Sequence, residues 1–172
     1  MAAIKTIGVI GAGQMGNGIA HVCALAGFPV MLNDVSGERI KAGMATINGN
    51  MTRQVSRHAI SEEQRKSALA LIRPAEKYDE LRSCDLVIET ATEKEDVKRK
   101  IFADLCVSLK PEAIIATNTS SISITRLAAS TDRPERFIGI HFMNPVPLME
   151  LVEVIRGIAT DDATFETSKA FV

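Results

Sequence analysis

The stretch Ile7-Gly8-Val9-Ile10-Gly11-Ala12-Gly13-Gln14-Met15-Gly16, residues 7–16, decides the fold of this chain. A short apolar run leads directly into a G-x-G-x-x-G string at 11–16. A segment with Ile19, Val22 and Leu25 on one helical face follows. This order of strand, glycine-rich turn and helix is typical of the first unit of a dinucleotide-binding fold.

Each glycine of the turn has a separate physical task. Gly11 permits the tight turn, Gly13 lets the backbone approach a pyrophosphate, and Gly16 lets the helix pack closely on the strand. We expect the pyrophosphate to lie against free N–H groups at the helix N-terminus, where the helix dipole favours anions. The predicted cofactor contacts in the turn are Gly11, Ala12, Gly13, Gln14, Met15 and Gly16. A turn of the same shape without a ligand is the alternative.

Asp34 stands at the end of the second apolar run, near the spacing expected for a ribose-binding carboxylate. A carboxylate there accepts hydrogen bonds from the ribose hydroxyls and repels a 2′-phosphate, which favours NAD over NADP. Its alternative role is to cap the following helix. FAD also fits the fingerprint taken alone.

The stretch from Thr6 to Asn33 contains no Asp, Glu, Lys or Arg. An export signal or a membrane span would need an unbroken apolar run, and glycines, Gln14 and Asn17 interrupt this one. A nearby anion would compete with a bound pyrophosphate, which explains the missing charge without lipid.

The composition is that of one folded domain. The chain has 172 residues, 46% of them hydrophobic, and a formal net charge of −1. This length buries ~70% of the unfolded surface, and the near-neutral charge excludes a general nucleic-acid binder. The three cysteines form no C-x-x-C pair, so we expect free thiols in a reducing, cytoplasmic compartment. We expect no metal site, no nucleic-acid partner and no membrane partner.

Short apolar runs alternate with amphipathic stretches, which predicts parallel strands joined by crossover helices. The expected fold class is α/β: a Rossmann-type, doubly wound, mostly parallel sheet with helices on both faces and a helical hairpin insertion at about 37–72. Strands are predicted at 4–10, 29–33, 85–89, 113–117, 137–142 and 151–155, and helices at about 14–26, 40–55, 61–72, 92–109, 122–129 and from 161 onwards.

The sequence makes three further predictions about these helices. Asn48-Gly49 is a turn signal, so a break inside the second helix is an alternative. The helix over 92–109 is predicted to bury Val97, Ile101, Leu105 and Leu109. The last helix is still apolar where the chain stops, which suggests that residues 1–172 are one domain of a longer protein.

Two ionisable side chains lie within apolar strands. Glu153 is the centre of Leu151-Val152-Glu153-Val154-Ile155, and His141 lies in the run 138–142, which is expected in the adjacent strand. A buried carboxylate without a partner would cost several kcal/mol or take up a proton, so we expect His141 to pair with Glu153. Such a pair fixes the imidazole tautomer and suits a general base. A purely structural pair is an equal alternative.

Thr117-Asn118-Thr119-Ser120-Ser121 follows a strand and precedes a short helix. Open α/β sheets bind ligands at the carboxyl ends of their strands, so these hydroxyls and amides are candidate ligand contacts. Helix capping by Ser120 or Ser121 is the alternative. A serine hydrolase is disfavoured because no G-x-S-x-G elbow occurs.

Four strings coincide in order along the chain: GAGQMG at 11–16, ATEK at 91–94, NTSS at 118–121 and HFMNPVPLMELVEVI at 141–155. Together they resemble the L-3-hydroxyacyl-CoA dehydrogenase family, most closely its bacterial 3-hydroxybutyryl-CoA dehydrogenase members. The resemblance covers essentially the whole chain, and the last string is its most specific part. It implies an NAD-dependent interconversion of short-chain L-3-hydroxyacyl-CoA and 3-ketoacyl-CoA, in fatty-acid and butanoate metabolism.

The resemblance also implies roles for individual residues. His141 would take the proton of the 3-hydroxyl while hydride passes to the nicotinamide, and Glu153 would orient His141 and stabilise its imidazolium. Ser120 would bond the reacting oxygen, and Asn144 would help fix the nicotinamide and the catalytic pair. The implied cofactor contacts outside the turn are Asp34, Glu93, Lys98, Asn118, Ser120 and Asn144, and the implied substrate contacts include Asn50 and Arg57 on the hairpin that covers the CoA moiety.

Members of the family continue into an all-helical C-terminal domain that completes the acyl pocket and forms most of the dimer interface. The resemblance therefore implies a homodimer of the full-length protein, and a weak or inactive enzyme where that domain is absent. Two alternatives stay open: a related dehydrogenase of a sugar acid such as gulonate, and a non-catalytic nucleotide-binding protein of the same fold. The presence of His141, Glu153, Ser120 and Asn144 disfavours the second.

Overall fold

Strands and helices alternate along residues 3–172, the part of the chain that the computed structural model describes; the first two residues of the predicted domain lie outside it. The strands are β1 (Ile7–Ile10), β2 (Val30–Asn33), β3 (Ile72–Ala75), β4 (Leu86–Glu89), β5 (Ile114–Thr117), β6 (Phe137–Phe142) and β7 (Val152–Arg156). The helices are α1 (Gln14–Leu25), α2 (Gly37–Ser56), α3 (Glu62–Leu71), α4 (Glu95–Ser108), α5 (Ile124–Ala128) and α6 (Asp162–Phe171). Short 3₁₀ helices occur at Tyr78–Leu81 and Pro134–Arg136.

The strands form one sheet in the order β3-β2-β1-β4-β5-β6-β7. Neighbouring strands are parallel except β7, which runs antiparallel to β6. The strand order reverses between β1 and β4, which is the switch point at which doubly wound sheets open a crevice for ligands. The predicted Rossmann-type fold is therefore confirmed, and the crevice lies where the glycine-rich turn follows β1.

Two apolar layers sandwich the sheet. On one face, Ile19 of α1 and Ile47 of α2 pack with Val9 and Leu32 of the strands. On the other face, Phe102 of α4 packs with strand residues. Alternate residues of a strand point to opposite faces. Because helices cover both faces of the sheet, the residues on both faces of these short central strands are apolar. The strands are thus packed against helices on both faces, and a site at their carboxyl ends is built on this packed sheet.

The structure departs from the predicted elements in two places. Strand β3 was not predicted, because Arg73 and Pro74 at its centre are exposed and break the apolar pattern. Proline is tolerated there because β3 is an edge strand. Helix α2 runs unbroken through Asn48-Gly49, since the burial of Ile47 and Met51 on either side outweighs the local turn preference.

The charge-free stretch 6–33 forms β1, the turn, α1 and β2. No helix within residues 3–172 is long and apolar enough to cross a membrane. The three cysteines are free thiols; Cys23 and Cys84 are the small buried residues that the sequence predicts, whereas Cys106 is only half-buried. Burial raises the pKa of the Cys23 thiol to about 12, so it stays protonated and unreactive at neutral pH.

His21 joins α1 to α2 inside the protein. Its side chain is fully buried, and its Nε2 lies 2.9 Å from the Gln54 Oε1. Burial lowers the pKa of His21, and the hydrogen bond to Gln54 offsets this only in part. Because the folded pKa lies below the unfolded value, the unfolded chain binds more protons as the pH falls, and stability declines below pH ~6.5.

We predict that His21→Gln reduces this acid sensitivity. The loss of unfolding free energy between pH 7 and pH 5 should be smaller in the variant than in the wild type, because the variant has no buried imidazole to protonate on unfolding. Urea unfolding across this range measures it. His58→Asn, which removes an exposed imidazole instead of a buried one, is the control. Equal pH dependence in His21→Gln and wild type would contradict the prediction.

Candidate cofactor and catalytic site

The glycine-rich turn has the geometry that anion binding needs. Gly11 has a φ of +97°, which favours glycine, and a Cβ at Gly16 would lie 1.6 Å from the Gly11 carbonyl oxygen. A Cβ at Gly13, in contrast, would meet no protein atom within 4 Å. Helix α1 has no acidic residue in its first turn and no side-chain cap. Its N-terminus therefore presents backbone dipoles to open space beside Gly13.

Asp34 connects the end of β2 to this turn. Its Oδ2 accepts a hydrogen bond of 2.7 Å from the Ala12 N–H, and its Oδ1 accepts one of 2.7 Å from the Val35 N–H. The Arg39 Nε lies 3.6 Å from Oδ1. Ser36, not Asp34, caps α2, so the capping alternative for Asp34 is wrong. The carboxylate is held in one orientation at the rim of the crevice.

Two cavities share Asp34. One, of about 520 Å³, lies between α1, α2 and the loop after β6, and Gly13 and Asn144 line it. The other, of about 430 Å³, lies over the carboxyl ends of the central strands, and Val35 and Ala91 line it. Both volumes are in the range of small-molecule sites. An open backbone at Gly13, a fixed carboxylate and a cavity on each side of it fit a dinucleotide.

His141 and Glu153 face each other across β6 and β7. The antiparallel register places them directly opposite, and His141 Nδ1 lies 2.8 Å from Glu153 Oε2. Because a carboxylate accepts, Nδ1 carries a proton, and in the neutral imidazole Nε2 then keeps a lone pair. The expectation that Glu153 is buried is wrong: its side chain is 50% exposed, because β7 is the edge strand of the sheet.

The loop after β5 lies beside this pair. Ser120 lines a cavity of about 300 Å³ together with His141 and Glu153. The Ser120 N–H and the Thr119 hydroxyl donate to the two carboxylate oxygens of Glu93, at 3.2 and 2.7 Å. Helix α5 is capped by Ser123, so capping by Ser120 or Ser121 is wrong. The exposed hydroxyl of Ser120 is available to a ligand.

Asn118 and Asn144 tie strand β6 to its surroundings. The buried Asn118 Oδ1 accepts a 2.7 Å hydrogen bond from the N–H of Phe142, the residue after His141. Asn144 Oδ1 accepts a 3.2 Å bond from Gln14 Nε2, which links the loop after β6 to the glycine-rich turn. Asn118 therefore holds the end of strand β6 in place, whereas Asn144 lines the 520 Å³ cavity.

Residues 6–172 match the family model described as 3-hydroxyacyl-CoA dehydrogenase, NAD binding domain. The chain belongs to this family. NAD is accordingly the cofactor of this domain. The predicted family and the predicted cofactor are both confirmed.

Relatives with curated names match nearly the whole of this chain. It is 75% identical over 171 residues to 3-hydroxybutyryl-CoA dehydrogenase of Bradyrhizobium diazoefficiens, covering 99% of this chain and 58% of that protein. It is 45% identical over 161 residues to a probable 3-hydroxybutyryl-CoA dehydrogenase of Bacillus subtilis, covering 94% and 56%. The crystal structure of (S)-3-hydroxybutyryl-CoA dehydrogenase from Ralstonia eutropha matches with a TM-score of 0.96 and 47% identity, covering 98% and 59%. The chain spans somewhat over half of each relative's length.

Three residues implied by the resemblance lie in different places in this NAD-binding domain. Asn50 lines the 520 Å³ cavity. Arg57 is the exposed C-cap of α2, beyond the part of α2 that lines the cavity. Lys98 is buried, with its Nζ 2.5 Å from Glu89 Oε2, so it lies beneath the site rather than at its surface.

Two residues at the site were not identified from the sequence. Asn17 is buried, donates from Nδ2 to the Gly13 carbonyl at 2.7 Å, and lines the 520 Å³ cavity. Glu89 is buried at the end of β4, beside Lys98. The sequence signal for Asn17 is a polar side chain among the glycines. The signal for Glu89 is a carboxylate at the end of an apolar strand.

Proposed function

We propose that the protein carrying this chain is an NAD-dependent 3-hydroxyacyl-CoA dehydrogenase acting on short-chain substrates such as 3-hydroxybutyryl-CoA. The observation that carries the proposal is the His141–Glu153 hydrogen bond of 2.8 Å beside a cavity that Ser120 also lines. This cavity lies at the same edge of the sheet as the NAD-binding turn. The names of the relatives support the substrate class.

Proton transfer would be the task of His141. Its Nδ1–H is held by Glu153, so Nε2 accepts the proton of the substrate 3-hydroxyl, and Glu153 stabilises the imidazolium that forms. The Ser120 hydroxyl bonds the reacting oxygen from the same cavity. NAD, when bound, supplies the acceptor for the hydride that leaves C3 of the substrate. Deprotonation and hydride loss together convert the alcohol to the ketone.

The remaining polar residues would position the two ligands. The backbone from Gly11 to Gly16 holds the pyrophosphate, Asp34 accepts from the ribose hydroxyls, and Asn144 orients the nicotinamide. Glu93 holds Ser120 in place through its hydrogen bond to the Ser120 N–H. Asn50 and Arg57, on the α2–α3 hairpin, would contact the CoA moiety.

We also propose that an all-helical domain completes the acyl pocket and forms the interface of a cytoplasmic homodimer. The relatives are longer than this chain. Leu148 and Leu151, between β6 and β7, are 73% and 58% exposed, an apolar surface that a further domain would cover. The three free thiols are consistent with a reducing compartment.

The direct test is a reaction of the purified full-length protein with acetoacetyl-CoA and NADH, followed by NADH absorbance. We expect reduction of acetoacetyl-CoA and no oxidation of gulonate with NAD. Gulonate oxidation without acyl-CoA turnover would instead support the sugar-acid alternative. NADH binding without either reaction would support a non-catalytic nucleotide-binding protein.

We predict that Asp34→Ala weakens NADH binding ~10–100-fold and reduces the preference for NADH over NADPH. The variant loses a charged acceptor for the ribose hydroxyls, and the Arg39 guanidinium, now released, can face a 2′-phosphate. Fluorescence titration of the full-length protein with both nucleotides measures the two affinities. Glu38→Ala, which removes an exposed charge nearby, is the control. Unchanged NADH affinity in Asp34→Ala would contradict the role of Asp34.

A further inference from the structure

Beneath the crevice lies a buried ion pair that the proposed reaction does not use. Lys98 of α4 and Glu89 at the end of β4 have side chains that are 1% and 0% exposed, and their charged atoms lie 2.5 Å apart. The Thr117 hydroxyl, at the end of β5, donates to the same carboxylate oxygen at 2.9 Å. The Thr117 hydroxyl oxygen also accepts a 3.2 Å hydrogen bond from Lys98 Nζ. The three side chains join α4 to the carboxyl ends of two central strands.

Stability alone does not explain this arrangement. Taking two charges out of water carries a large desolvation penalty, and well-packed apolar side chains of similar volume often stabilise a protein equally or better. The pair differs from an apolar contact in one respect: its hydrogen bonds fix distances and directions. Its physical consequence is therefore the placement of the groups bonded to it.

The backbone groups that Glu89 binds belong to the loop before α4 and to the loop after β5, and both loops border the site. Glu89 Oε1 accepts a 2.7 Å bond from the Ala91 N–H, which begins the loop that carries Glu93. The Glu89 carbonyl accepts a 2.8 Å bond from the Asn118 N–H. Asn118 in turn holds the Phe142 N–H, next to His141.

The same region also touches the glycine-rich turn. The Thr90 N–H and hydroxyl both donate to the Ile10 carbonyl at 2.8 Å, immediately before the turn. A Cβ at Gly11 would lie 2.8 Å from that hydroxyl. Glu89 is thus adjacent to the residue against which the turn is packed.

We propose that Lys98 and Glu89 form a positioning pair that sets the places of Ser120 and His141 relative to the cofactor turn; as a statement about catalysis, this rests on the proposed dehydrogenase function. Lys98 acts through Glu89 and not through contact with NAD. This differs from the direct cofactor contact that the family resemblance implies for Lys98. The two roles predict different effects on NADH affinity.

The test uses the double variant Glu89→Met/Lys98→Met in the full-length protein. Removing both charges together avoids leaving one of them buried and unpaired. We expect kcat for acetoacetyl-CoA reduction to fall ~10–100-fold, because small misplacements of reacting groups have effects of this size. The Kd for NADH and the KM for acetoacetyl-CoA should stay within ~3-fold of wild type.

Asp85→Asn/Lys110→Met is the matched control. This pair, also 2.5 Å apart, joins the opposite end of β4 to the residues after α4. Its loss perturbs the same strand without reaching the crevice, so kcat should stay within ~2-fold of wild type. An equal fall of kcat in both double variants would show a general structural effect and overturn the proposal.

Thr117→Val serves if the double variant does not fold. It removes one hydroxyl from the cluster while keeping a β-branched side chain in β5, and we expect an intermediate fall in kcat at unchanged NADH affinity. A kcat equal to that of wild type in the folded variant would overturn the proposal. A large rise in the NADH Kd as the main effect would instead favour direct contact of Lys98 with the cofactor.

Amide hydrogen exchange separates this proposal from the proposed function. The Asn118 and Phe142 N–H groups should exchange about tenfold faster in the double variant, or in Thr117→Val, than in wild type, and the control pair should leave them unchanged. This readout holds even where wild type reduces no acetoacetyl-CoA, which would refute only the dehydrogenase function. Unchanged exchange at both amides would refute the positioning role.

Discussion

Replacing Glu153 with Gln is expected to lower kcat for acetoacetyl-CoA reduction by the full-length protein ~10²–10⁴-fold. A glutamine amide at 2.8 Å from His141 Nδ1 can donate as well as accept. In alcohol oxidation the imidazole can then take the other tautomer, with its proton on Nε2, and cannot act as a base; in acetoacetyl-CoA reduction His141 must donate a proton from Nε2 as an imidazolium, the state that Glu153 stabilises. The variant also loses the charge that stabilises the imidazolium, and the two effects together resemble the loss of a triad aspartate in serine proteases.

NADH affinity should hardly change in Glu153→Gln, because Glu153 lines the 300 Å³ cavity and not the two cavities beside the glycine-rich turn. Steady-state kinetics with a parallel NADH titration measures both quantities. Glu150→Gln, an exposed carboxylate shortly before β7, is the control for a charge change near the site. Turnover of Glu153→Gln at the wild-type rate would refute the dyad and leave a purely structural pair.

The His141–Glu153 contact was accessible from the sequence because each residue interrupts an apolar strand. The same signal occurs at Glu89, which ends the run Asp85–Glu89, yet it was interpreted there only as the end of a strand. Its partner Lys98 lies on α4, on which the spacing of apolar residues predicts only Val97, Ile101, Leu105 and Leu109 as buried. The structure confirms Leu105 and Leu109, but Val97 is 39% exposed, and Lys98 and Phe102 are buried as well.

The missed burial of Lys98 in α4 has a physical cause. Lysine is almost never fully buried unless it is paired, so the apolar pattern predicts Val97 and Ile101 on the buried face and Lys98 outside it. Only the tertiary contact with Glu89 makes the buried position of Lys98 acceptable. Periodicity predicts a helix and its approximate face, but it cannot show which charged residue has a buried partner.

The remaining elements follow the same logic. The central strands and their helices were predictable because apolar spacing determines them within a few residues. β3 was not, because a four-residue edge strand with an exposed centre carries no pattern of its own. The exposure of Glu153 depends on the position of β7 at the edge of the sheet, which is a property of topology.

Gly16→Ala is expected to destabilise the protein by ~1–3 kcal/mol or more and to weaken NADH binding at least ~100-fold. The added Cβ would lie 1.6 Å from the Gly11 carbonyl oxygen and 2.7 Å from both the Gly11 carbonyl carbon and the Thr90 hydroxyl oxygen. Two of these atoms are backbone, so α1 must move away from β1. Its N-terminal N–H groups then leave the place where they meet the pyrophosphate. Thermal unfolding and NADH titration of the full-length protein measure the two effects.

Gly49→Ala is the control for a glycine replaced inside a helix. The nearest atom to its Cβ would be the Arg53 Nη1 at 3.9 Å, so the substitution meets ordinary contacts only. We expect a stabilisation of ~0.5–1 kcal/mol from the improved helix propensity, with NADH affinity unchanged. A similar loss of NADH binding in Gly49→Ala would mean that any change in these helices disturbs the site.

Gly13→Ala distinguishes damage to the fold from damage to the binding surface. Its Cβ would meet no protein atom within 4 Å, so the melting temperature should stay close to that of wild type. The methyl group would nevertheless occupy the space through which a pyrophosphate approaches the backbone, and NADH binding should weaken ~10-fold or more. Normal NADH affinity in a folded Gly13→Ala would place the pyrophosphate elsewhere. The binding loss of Gly16→Ala would then have to come from the displacement of α1 alone.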